Sequence, residues 1–191
     1  MTIHHTKTQI RSIYLAQRRN LTQQIITQAS QKITDIMRST QAYQAAQHIA
    51  WYLPVQGEID LSALWQAALE ENKHCYFPVV QPDHTLIFLP YTRDTALLPN
   101  RYQILEPDIA PQYARAPQDL DMIVIPIVAF DAQCRRLGMG KGYYDKTLMH
   151  HTDALLMGVA YDWQKQLELP NEPWDIQLDM IITETQIYTS T

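Results

Sequence analysis

The sequence is short of several residue types, and these shortages exclude whole classes of protein. Its 191 residues include two cysteines, Cys75 and Cys134, which lie far apart and lack the spacing of a zinc site. Two free thiols in a reducing compartment are the expected state, with a single disulfide as the alternative. No apolar run approaches the roughly 20 residues that cross a bilayer, and residues 1–7 lack the apolar core of a signal peptide. We therefore expect a cytoplasmic protein without a membrane segment.

Positive charge is also scarce. The formal net charge of -5 argues against broad binding to nucleic acid or to a membrane surface, but it is compatible with a local basic pocket. Apolar residues make up 46% of the chain and charged residues 18%, which is typical of a globular protein rather than a disordered one. The length suits a single domain, residues 1–191, and we expect a monomer.

The apolar residues that are present follow the periods of an α/β domain. Strands are predicted at residues 49–53, 75–80, 85–89, 122–128, 154–160 and 178–183. Helices are predicted at residues 6–20, 23–38, 41–47, from 60 or 62 to 69, and 142–150. Because several strands are unbroken apolar runs separated by helices, we expect a mainly parallel sheet covered on both faces by helices. Residues 90–120, with five prolines, are predicted to form a loop-rich lid with short extended pieces, and residues 168–177 are predicted to be irregular.

Glycine is scarce and unevenly distributed. Three of the five glycines lie within five residues: Gly138, Gly140 and Gly142. The cluster follows the apolar run 122–130, precedes a short predicted helix and is flanked by Arg135, Arg136 and Lys141. Bare backbone amides and fixed cations before a helix are typical of an anion site, most often one for phosphate. A glycine corner without a ligand is the alternative, and the G-x-G-x-G spacing matches neither the dinucleotide fingerprint nor the P-loop.

Three acidic residues are placed where they could serve such a site. Asp145, just after the glycines, is a candidate magnesium ligand, because Mg²⁺ prefers one or two carboxylates plus phosphate oxygens; the alternative is a helix-terminal acid. Asp179 interrupts the last apolar strand and is a candidate second ligand or an edge residue. Glu58 follows the carboxyl end of a strand, where α/β proteins gather ligands. It could accept paired hydrogen bonds from an amidine-like group, or simply be a surface carboxylate.

The basic residues near the N-terminus and the histidines give weaker signals. Lys7 and Arg11 are four residues apart and share a helix face, normally a solvated one. Residues Arg18 and Arg19 are likewise expected mainly on the surface. The seven histidines show no metal spacing, and the pair at positions 150 and 151 is interpreted as a polar helix end. No Ser/His/Asp or Cys/His arrangement is evident.

The glycine cluster belongs to a longer pattern. The run from Phe130 to Asp145, F-D-x-x-x-x-R-L-G-x-G-x-G-Y-Y-D, resembles the signature of the 5-formyltetrahydrofolate cyclo-ligase family, also called methenyltetrahydrofolate synthetases. Further pieces follow in family order: Lys7-x-x-x-Arg11, Leu53-x-x-x-x-Glu58, Ile104-Leu105-Glu106-Pro107 and Leu178-Asp179. The glycine signature is specific, whereas the other pieces are persuasive through their order. Together they cover nearly the whole chain.

The resemblance implies a Rossmann-like sheet and a defined reaction. In that reaction, which depends on ATP and Mg²⁺, 5-formyltetrahydrofolate is converted to 5,10-methenyltetrahydrofolate with release of ADP and phosphate. The N5-formyl oxygen is phosphorylated, N10 attacks the activated carbon and phosphate leaves. The implied partners are the two small-molecule substrates, 5-formyltetrahydrofolate and ATP. Neither nucleic acid nor a membrane is implied.

The resemblance also implies roles for individual residues. ATP contacts are expected from Lys7, Arg11, Arg136, Leu137, Gly138, Met139, Gly140, Lys141, Gly142, Tyr143 and Tyr144. Catalytic roles are expected for Lys141 and Arg136, and Mg²⁺ ligands are expected at Asp145 and Asp179. Folate contacts are expected from Leu53, Glu58 and Tyr143, with Glu58 facing the pterin. Tyr143 and Tyr144 stand at the junction of the two ligands or pack the loop.

Two positions depart from the family pattern, and two other functions are open at this stage. Cys134 stands where many members have a turn glycine, which bears on the geometry before Arg136. Met139 stands where some members carry a basic residue, which bears on affinity for ATP or folate. The other functions are a reduced-folate or nucleotide binder without turnover, and an unrelated ATP-dependent ligase or kinase. The phosphate-site cations argue against the first, and Glu58 argues against the second.

Overall fold

Helices and strands alternate along most of the chain. The computed structural model describes residues 6–149 and 153–190. The helices are α1 Lys7–Arg19, α2 Gln23–Ser39, α3 Gln41–Ala45, α4 Ser62–Glu70 and α5 Tyr143–Leu148. The strands are β1 His48–Ala50, β2 His74–Val80, β3 Leu86–Tyr91, β4 Leu97–Pro99, β5 Leu105–Pro107, β6 Met122–Pro126, β7 Ala129–Phe130, β8 Arg136–Leu137, β9 Leu155–Val159, β10 Met180–Ile182 and β11 Ile187–Thr189. The predictions for residues 1–5 and for His150 and His151 lie outside the described residues.

Threonine side chains set where the first helices begin. The Thr6 hydroxyl accepts a hydrogen bond from the Gln9 backbone N–H, and the Gln9 side chain accepts one from the Thr6 N–H, which completes a capping box. Thr22 and Thr40 cap α2 and α3 by accepting from the N–H three residues further on. These local signals explain why the predicted and observed starts of the three helices agree within one residue.

A seven-stranded sheet forms the centre of the molecule, in the order β11-β10-β9-β6-β1-β2-β3. The five inner strands pair in parallel, whereas the edge strands β3 and β11 pair antiparallel. The chain leaves β1 toward β2 on one side and later returns to β6 on the other side of β1. The carboxyl ends of β1 and β6 therefore form a topological switch point, where α/β proteins usually bind ligands. The prediction of a mainly parallel, Rossmann-like sheet is confirmed.

Buried side chains alternate between the two faces of the sheet, as strand geometry requires. Ile49 belongs to the core beneath α2, α3 and α4, whereas its neighbour Ala50 belongs to the core on the other face. That second face is covered by α5 and by the short β7–β8 hairpin, while α1 packs on a smaller cluster that includes Val128 and Leu137. Helices thus cover both faces, but unequally.

The structure corrects several predicted boundaries. The predicted strand 122–128 ends at Pro126 as β6, because the Gln164 side chain donates to the carbonyls of Ile127 and Val128 at 3.0 and 2.7 Å in place of a neighbouring strand, and the unpredicted strand β7 follows at Ala129–Phe130. The short strands β8 and β11 were not predicted. Residues 90–120 contain the β4–β5 hairpin and two single-turn 3₁₀ helices, which confirms the short extended pieces.

Two further expectations can be compared with the structure. Cys75 and Cys134 are both free and buried, in agreement with two unpaired thiols. Within the part of the chain that the structure describes, no helix is both long enough and apolar enough to cross a membrane.

Candidate active site

A deep cleft opens at the carboxyl ends of β1, β2 and β6. Its volume is about 1300 Å³, above the roughly 300–1,000 Å³ that is usual for a single small ligand. Six basic and five acidic side chains line it, so the cleft is slightly positive although the chain carries a net charge of -5. The predicted site residues that line the cleft are Lys7, Arg11, Leu53, Glu58, Arg136, Leu137, Gly138, Met139, Gly140, Lys141, Gly142, Tyr143, Tyr144 and Asp145.

The β7–β8 hairpin delivers the glycine loop, residues 138–142, to this cleft. Asp131, fully buried at the turn, accepts hydrogen bonds from the backbone N–H groups of Gln133 and Arg135 at 3.0 and 3.1 Å. Cys134 lies in the same turn with φ of 59°, a left-handed conformation that favours glycine. The departure from the family pattern therefore falls at a position with a glycine-like backbone, and the turn keeps that conformation with cysteine in place.

Arg11 and the glycine loop fit closely together. The Arg11 Nε–H donates to the Gly138 carbonyl at 2.9 Å. At Gly140 φ is +90°, a conformation that favours glycine, and a Cβ there would lie only 3.1 Å from Arg11 Cζ, so the Arg11 side chain would have to shift slightly. Gly138 differs, because a Cβ there would meet no atom within 4 Å. The space beside Gly138 is open to a ligand.

Arg136 and Asp145 form an ion pair in the cleft wall. Arg136 Nη2 lies 2.8 Å from Asp145 Oδ1, and Arg136 Nη1 donates to the Ile176 carbonyl at 2.8 Å. The Ile176 N–H donates to the same Asp145 oxygen at 3.1 Å. No residue that the structure describes donates a hydrogen bond to Asp145 Oδ2, which leaves this atom available to a ligand. The other flanking arginine, Arg135, pairs with acidic side chains outside the cleft.

Residues 172–175 form one side of the cleft, which sequence reasoning did not predict. Lys7 Nζ pairs with Asp175 Oδ2, and this oxygen also accepts the Glu172 N–H at 2.7 Å. Trp174 lines the cleft with 67% of its surface exposed, so its ring is free to contact a ligand. The sequence signal that could have identified this wall of the cleft is the tryptophan itself, which stands in a proline-containing segment without apolar periodicity.

Glu58 is buried beside the cleft and paired with Arg18. Glu58 Oε1 lies 3.3 Å from Arg18 Nη2, and Oε2 accepts the Val55 N–H at 3.0 Å. The expectation that Arg18 lies on the surface is wrong, since only 2% of this residue is exposed. Arg18 faces inward because its guanidinium also donates to the carbonyls of Gln56 and Ile127, at 2.9 and 3.2 Å.

Burial and charge perturb several titratable groups around Glu58. Burial raises the pKa of Glu58, and the positive charge of Arg18 opposes part of this shift. Burial also raises the pKa of the Tyr144 hydroxyl, to which the Glu58 charge contributes. At the mouth of the cleft, the hydrogen bond with Tyr102 lowers the pKa of Tyr143, whose hydroxyl also accepts from Arg101 Nη2 at 2.9 Å. The two adjacent tyrosines therefore stand in different environments.

The β4–β5 hairpin brings residues 100–106 to the cleft. The Asn100 side chain shapes its tip by accepting the N–H groups of Tyr102 and Ile104 at 2.8 and 3.1 Å and by donating to Glu106 at 2.8 Å. Part of the predicted lid thus lines the predicted site. That this segment closes on ligands stays a prediction.

The structure does not bring Asp179 to the cleft. This residue directly precedes β10, at the amino end of the strand, whereas the cleft opens at carboxyl ends. Its Oδ2 accepts the Leu156 N–H at 2.7 Å, so the carboxylate fixes the start of β9. Among the described residues, no three His, Cys, Asp or Glu side chains are grouped to hold a metal. We therefore correct the expectation for Asp179 and keep Asp145 as the candidate ligand.

Known proteins share both the sequence pattern and this fold. The model of the 5-formyltetrahydrofolate cyclo-ligase family matches residues 3–184. The chain belongs to this family. A 5-formyltetrahydrofolate cyclo-ligase of Haemophilus influenzae is 38% identical over 90% of this chain and 92% of its own length. That of Escherichia coli K12 is 33% identical over 90% of this chain and 96% of its own.

Solved structures of the family have the same architecture. The NMR structure of Aquifex aeolicus 5,10-methenyltetrahydrofolate synthetase superposes with a TM-score of 0.85 at 32% identity, covering 96% of this chain and 92% of that one. The Mycoplasma pneumoniae synthetase gives 0.77 at 27% identity, with coverages of 94% and 99%. The predicted family, fold and enzyme class are confirmed, and the roles of individual residues stay predictions.

Proposed function

We propose that the chain converts 5-formyltetrahydrofolate to 5,10-methenyltetrahydrofolate in a reaction that depends on ATP and Mg²⁺ and releases ADP and phosphate. The γ-phosphoryl group passes to the N5-formyl oxygen, N10 attacks the formyl carbon and loses its proton, and the C–O bond breaks as phosphate leaves. The observation that carries the proposal is the placement of the glycine loop and Glu58 in one cleft, within a chain of the cyclo-ligase family.

The phosphate end of the proposed site is the glycine loop with its surrounding cations. Arg11 and Lys141 form no ion pair with any acidic residue in the described ranges, so their charges are available to a polyphosphate. Lys7 and Arg136 each have one carboxylate partner and line the same cleft. Phosphoryl transfer needs positioning and charge neutralisation more than a protein nucleophile. We assign the catalytic roles to Lys141 and Arg136, as donors to the transferring group.

The folate end of the proposed site is centred on Glu58. Each oxygen of this carboxylate already accepts one hydrogen bond, one from Arg18 and one from Val55. A carboxylate oxygen has two acceptor sites, so each keeps one for an amidine-like pair of N–H groups such as the pterin presents. Leu53 adds an apolar contact beside it, and Tyr143 and Tyr144, which directly follow the glycine loop in sequence, line the same cleft.

The residues present also fit one magnesium ion. Mg²⁺ is commonly held by one or two carboxylates, substrate phosphates and water, and Asp145 Oδ2, which lines the cleft beside the glycine loop, lacks a donor from the described residues. Asp145 would hold the ion. When bound, Mg²⁺ would supply further neutralisation of the polyphosphate charge.

A spectroscopic assay tests the proposed reaction directly. The purified protein is mixed with 5-formyltetrahydrofolate, ATP and Mg²⁺, and the near-UV absorbance of the methenyl product is followed. We expect product only when all three are present. Lys141→Ala and Asp145→Ala should each lower kcat by on the order of 10²-fold or more, because transition-state charge loses a preorganised partner.

Two matched variants control this experiment. Lys32→Ala removes an exposed lysine of α2, and Asp179→Asn neutralises the carboxylate that lies outside the cleft; both should keep activity close to that of the unaltered protein. Folate binding without product would instead identify the non-catalytic binder. Full activity of both Lys141→Ala and Asp145→Ala would show that the phosphate site is elsewhere.

A further inference from the structure

Arg18 does not line the cleft, but its side chain forms the ion pair that holds Glu58. We propose that Arg18 is a positioning residue for folate recognition, which holds Glu58 in the orientation and charge state that accept the pterin N–H groups. The inference rests on the proposed function, specifically on Glu58 facing the folate. Because Arg18 does not line the cleft, it would act on the folate only through Glu58.

The Arg18 guanidinium contacts four groups, which belong to three segments of the chain. Its Nε donates to the Gln56 carbonyl at 2.9 Å, in the loop after β1, and Nη1 donates to the Ile127 carbonyl at 3.2 Å, just after β6. Its Nη2 lies 3.3 Å from Glu58 Oε1 and 4.0 Å from the Met139 sulfur in the glycine loop. Because the guanidinium is planar and its donors diverge, one side chain holds the two carbonyls and the carboxylate at the same time, an arrangement that a lysine ammonium does not reproduce.

The turn that carries Glu58 is packed directly on Arg18. Gly57, with φ of +76°, lies so close that a Cβ there would be 2.9 Å from the Arg18 carbonyl and 3.3 Å from its Cγ. Only glycine allows this approach of the turn to α1. The position of Glu58 is therefore set by α1 through Arg18, and not only by the loop to which it belongs.

Arg18 also sets the charge of Glu58. The titratable groups that face Glu58 are Arg18 from α1, Tyr52 after β1, Tyr144 on α5 and Tyr161 after β9. Burial raises the pKa of all three tyrosines, that of Tyr161 to about 12, so they stay neutral at about pH 6 to 8. Arg18 is thus the cation that opposes the upward shift of the Glu58 pKa. Without it the carboxyl would take up a proton at higher pH and present an O–H donor where an acceptor is needed.

The test compares Arg18→Gln, Arg18→Lys and Glu58→Gln, with the KM values for 5-formyltetrahydrofolate and for ATP measured from about pH 6 to 8. Arg18→Gln should raise the folate KM, and below the pKa of the Glu58 carboxyl the increase should approach about tenfold per pH unit. The ATP KM should stay within about twofold, because Arg18 donates to Glu58 and to the carbonyls of Gln56 and Ile127, and reaches the glycine loop only through its weak 4.0 Å contact with the Met139 sulfur. Arg18→Lys keeps the positive charge but loses the planar, diverging donors of the guanidinium. Its folate KM should therefore rise about three- to tenfold without the added pH dependence.

Two controls separate positioning from general damage to the fold. Arg38→Gln removes an exposed arginine in the last turn of α2, which pairs with Glu71 at the end of α4 and does not line the cleft, and it should leave both KM values unchanged. In a Glu58→Gln background, Arg18→Gln should add no more than about twofold to the folate KM, because Arg18 acts through Glu58. Thermal unfolding of each variant confirms that it is folded.

The outcomes distinguish this inference from the function on which it rests. Glu58→Gln with an unchanged folate KM would overturn the folate assignment, and the role of Arg18 with it. A raised folate KM in Glu58→Gln beside an unchanged folate KM and pH profile in folded Arg18→Gln would overturn the role of Arg18 alone. Where Arg18→Gln does not fold, Arg18→Lys decides, and a folate KM equal to that of the unaltered protein contradicts the inference.

Discussion

At the residue scale, Lys141 and Glu58 line the cleft, whereas Arg18 lies behind it and is paired with Glu58. Lys141 and Glu58 could be named because their neighbours form recognisable patterns. Arg18 could not, because an arginine on an amphipathic helix is normally exposed and only the folded chain surrounds it with acceptors. For Asp179 the error was the opposite one, because the sequence suggested a site residue where the folded chain has a structural one. A carboxylate in an apolar strand suggested a metal ligand, whereas it serves the backbone N–H of Leu156.

The two cysteines give a prediction at this scale. Burial raises the pKa of both Cys75 and Cys134 to about 11, so the native protein should hold little reactive thiolate near about pH 8. Ellman's reagent should label the folded protein slowly and should label both thiols rapidly after unfolding in guanidinium chloride. Rapid labelling of even one thiol in the native protein would contradict their buried positions.

At the element scale, helix starts that are set by adjacent residues could be predicted from the sequence. Short strands that exist only because they pair with another strand could not. The starts of α1, α2 and α3 follow from threonine caps that lie beside them in the sequence. Strands β7, β8 and β11 contain two or three residues, too few to show a period of two. They exist because β7 pairs with β8 around the Asp131 turn and because β11 pairs with β10.

The glycine loop gives the prediction that belongs to this scale. Gly140→Ala places a side chain at φ of +90° and against Arg11, which should destabilise the protein by about 1–3 kcal/mol and raise the ATP KM. Gly138→Ala meets no protein atom within 4 Å, so it should leave the melting temperature unchanged and raise only the ATP KM. Thermal unfolding and ATP titrations measure both effects. Equal stability of the two variants would contradict the described loop geometry.

At the scale of the whole molecule, the site exists because segments far apart in sequence meet at one end of the sheet. The rule that ligands gather at the carboxyl ends of parallel strands indicated which end, and the family resemblance indicated which segments. The predicted lid, residues 90–120, includes the β4–β5 hairpin that lines the cleft, but neither signal indicated that residues 172–175 complete the walls. Those contacts depend on long-range packing, such as the pair between Lys7 and Asp175, which are separated by most of the chain.

The central claim is that the backbone N–H groups of residues 138–142, together with Lys7 and Arg11, bind the triphosphate of ATP beside a folate held by Glu58. A crystal structure with a non-hydrolysable ATP analogue and 5-formyltetrahydrofolate measures this most directly. We predict that the β- and γ-phosphates lie against the glycine loop and that the pterin N–H groups lie within hydrogen-bonding distance of Glu58. A polyphosphate bound away from this loop, or a pterin remote from Glu58, would contradict the account.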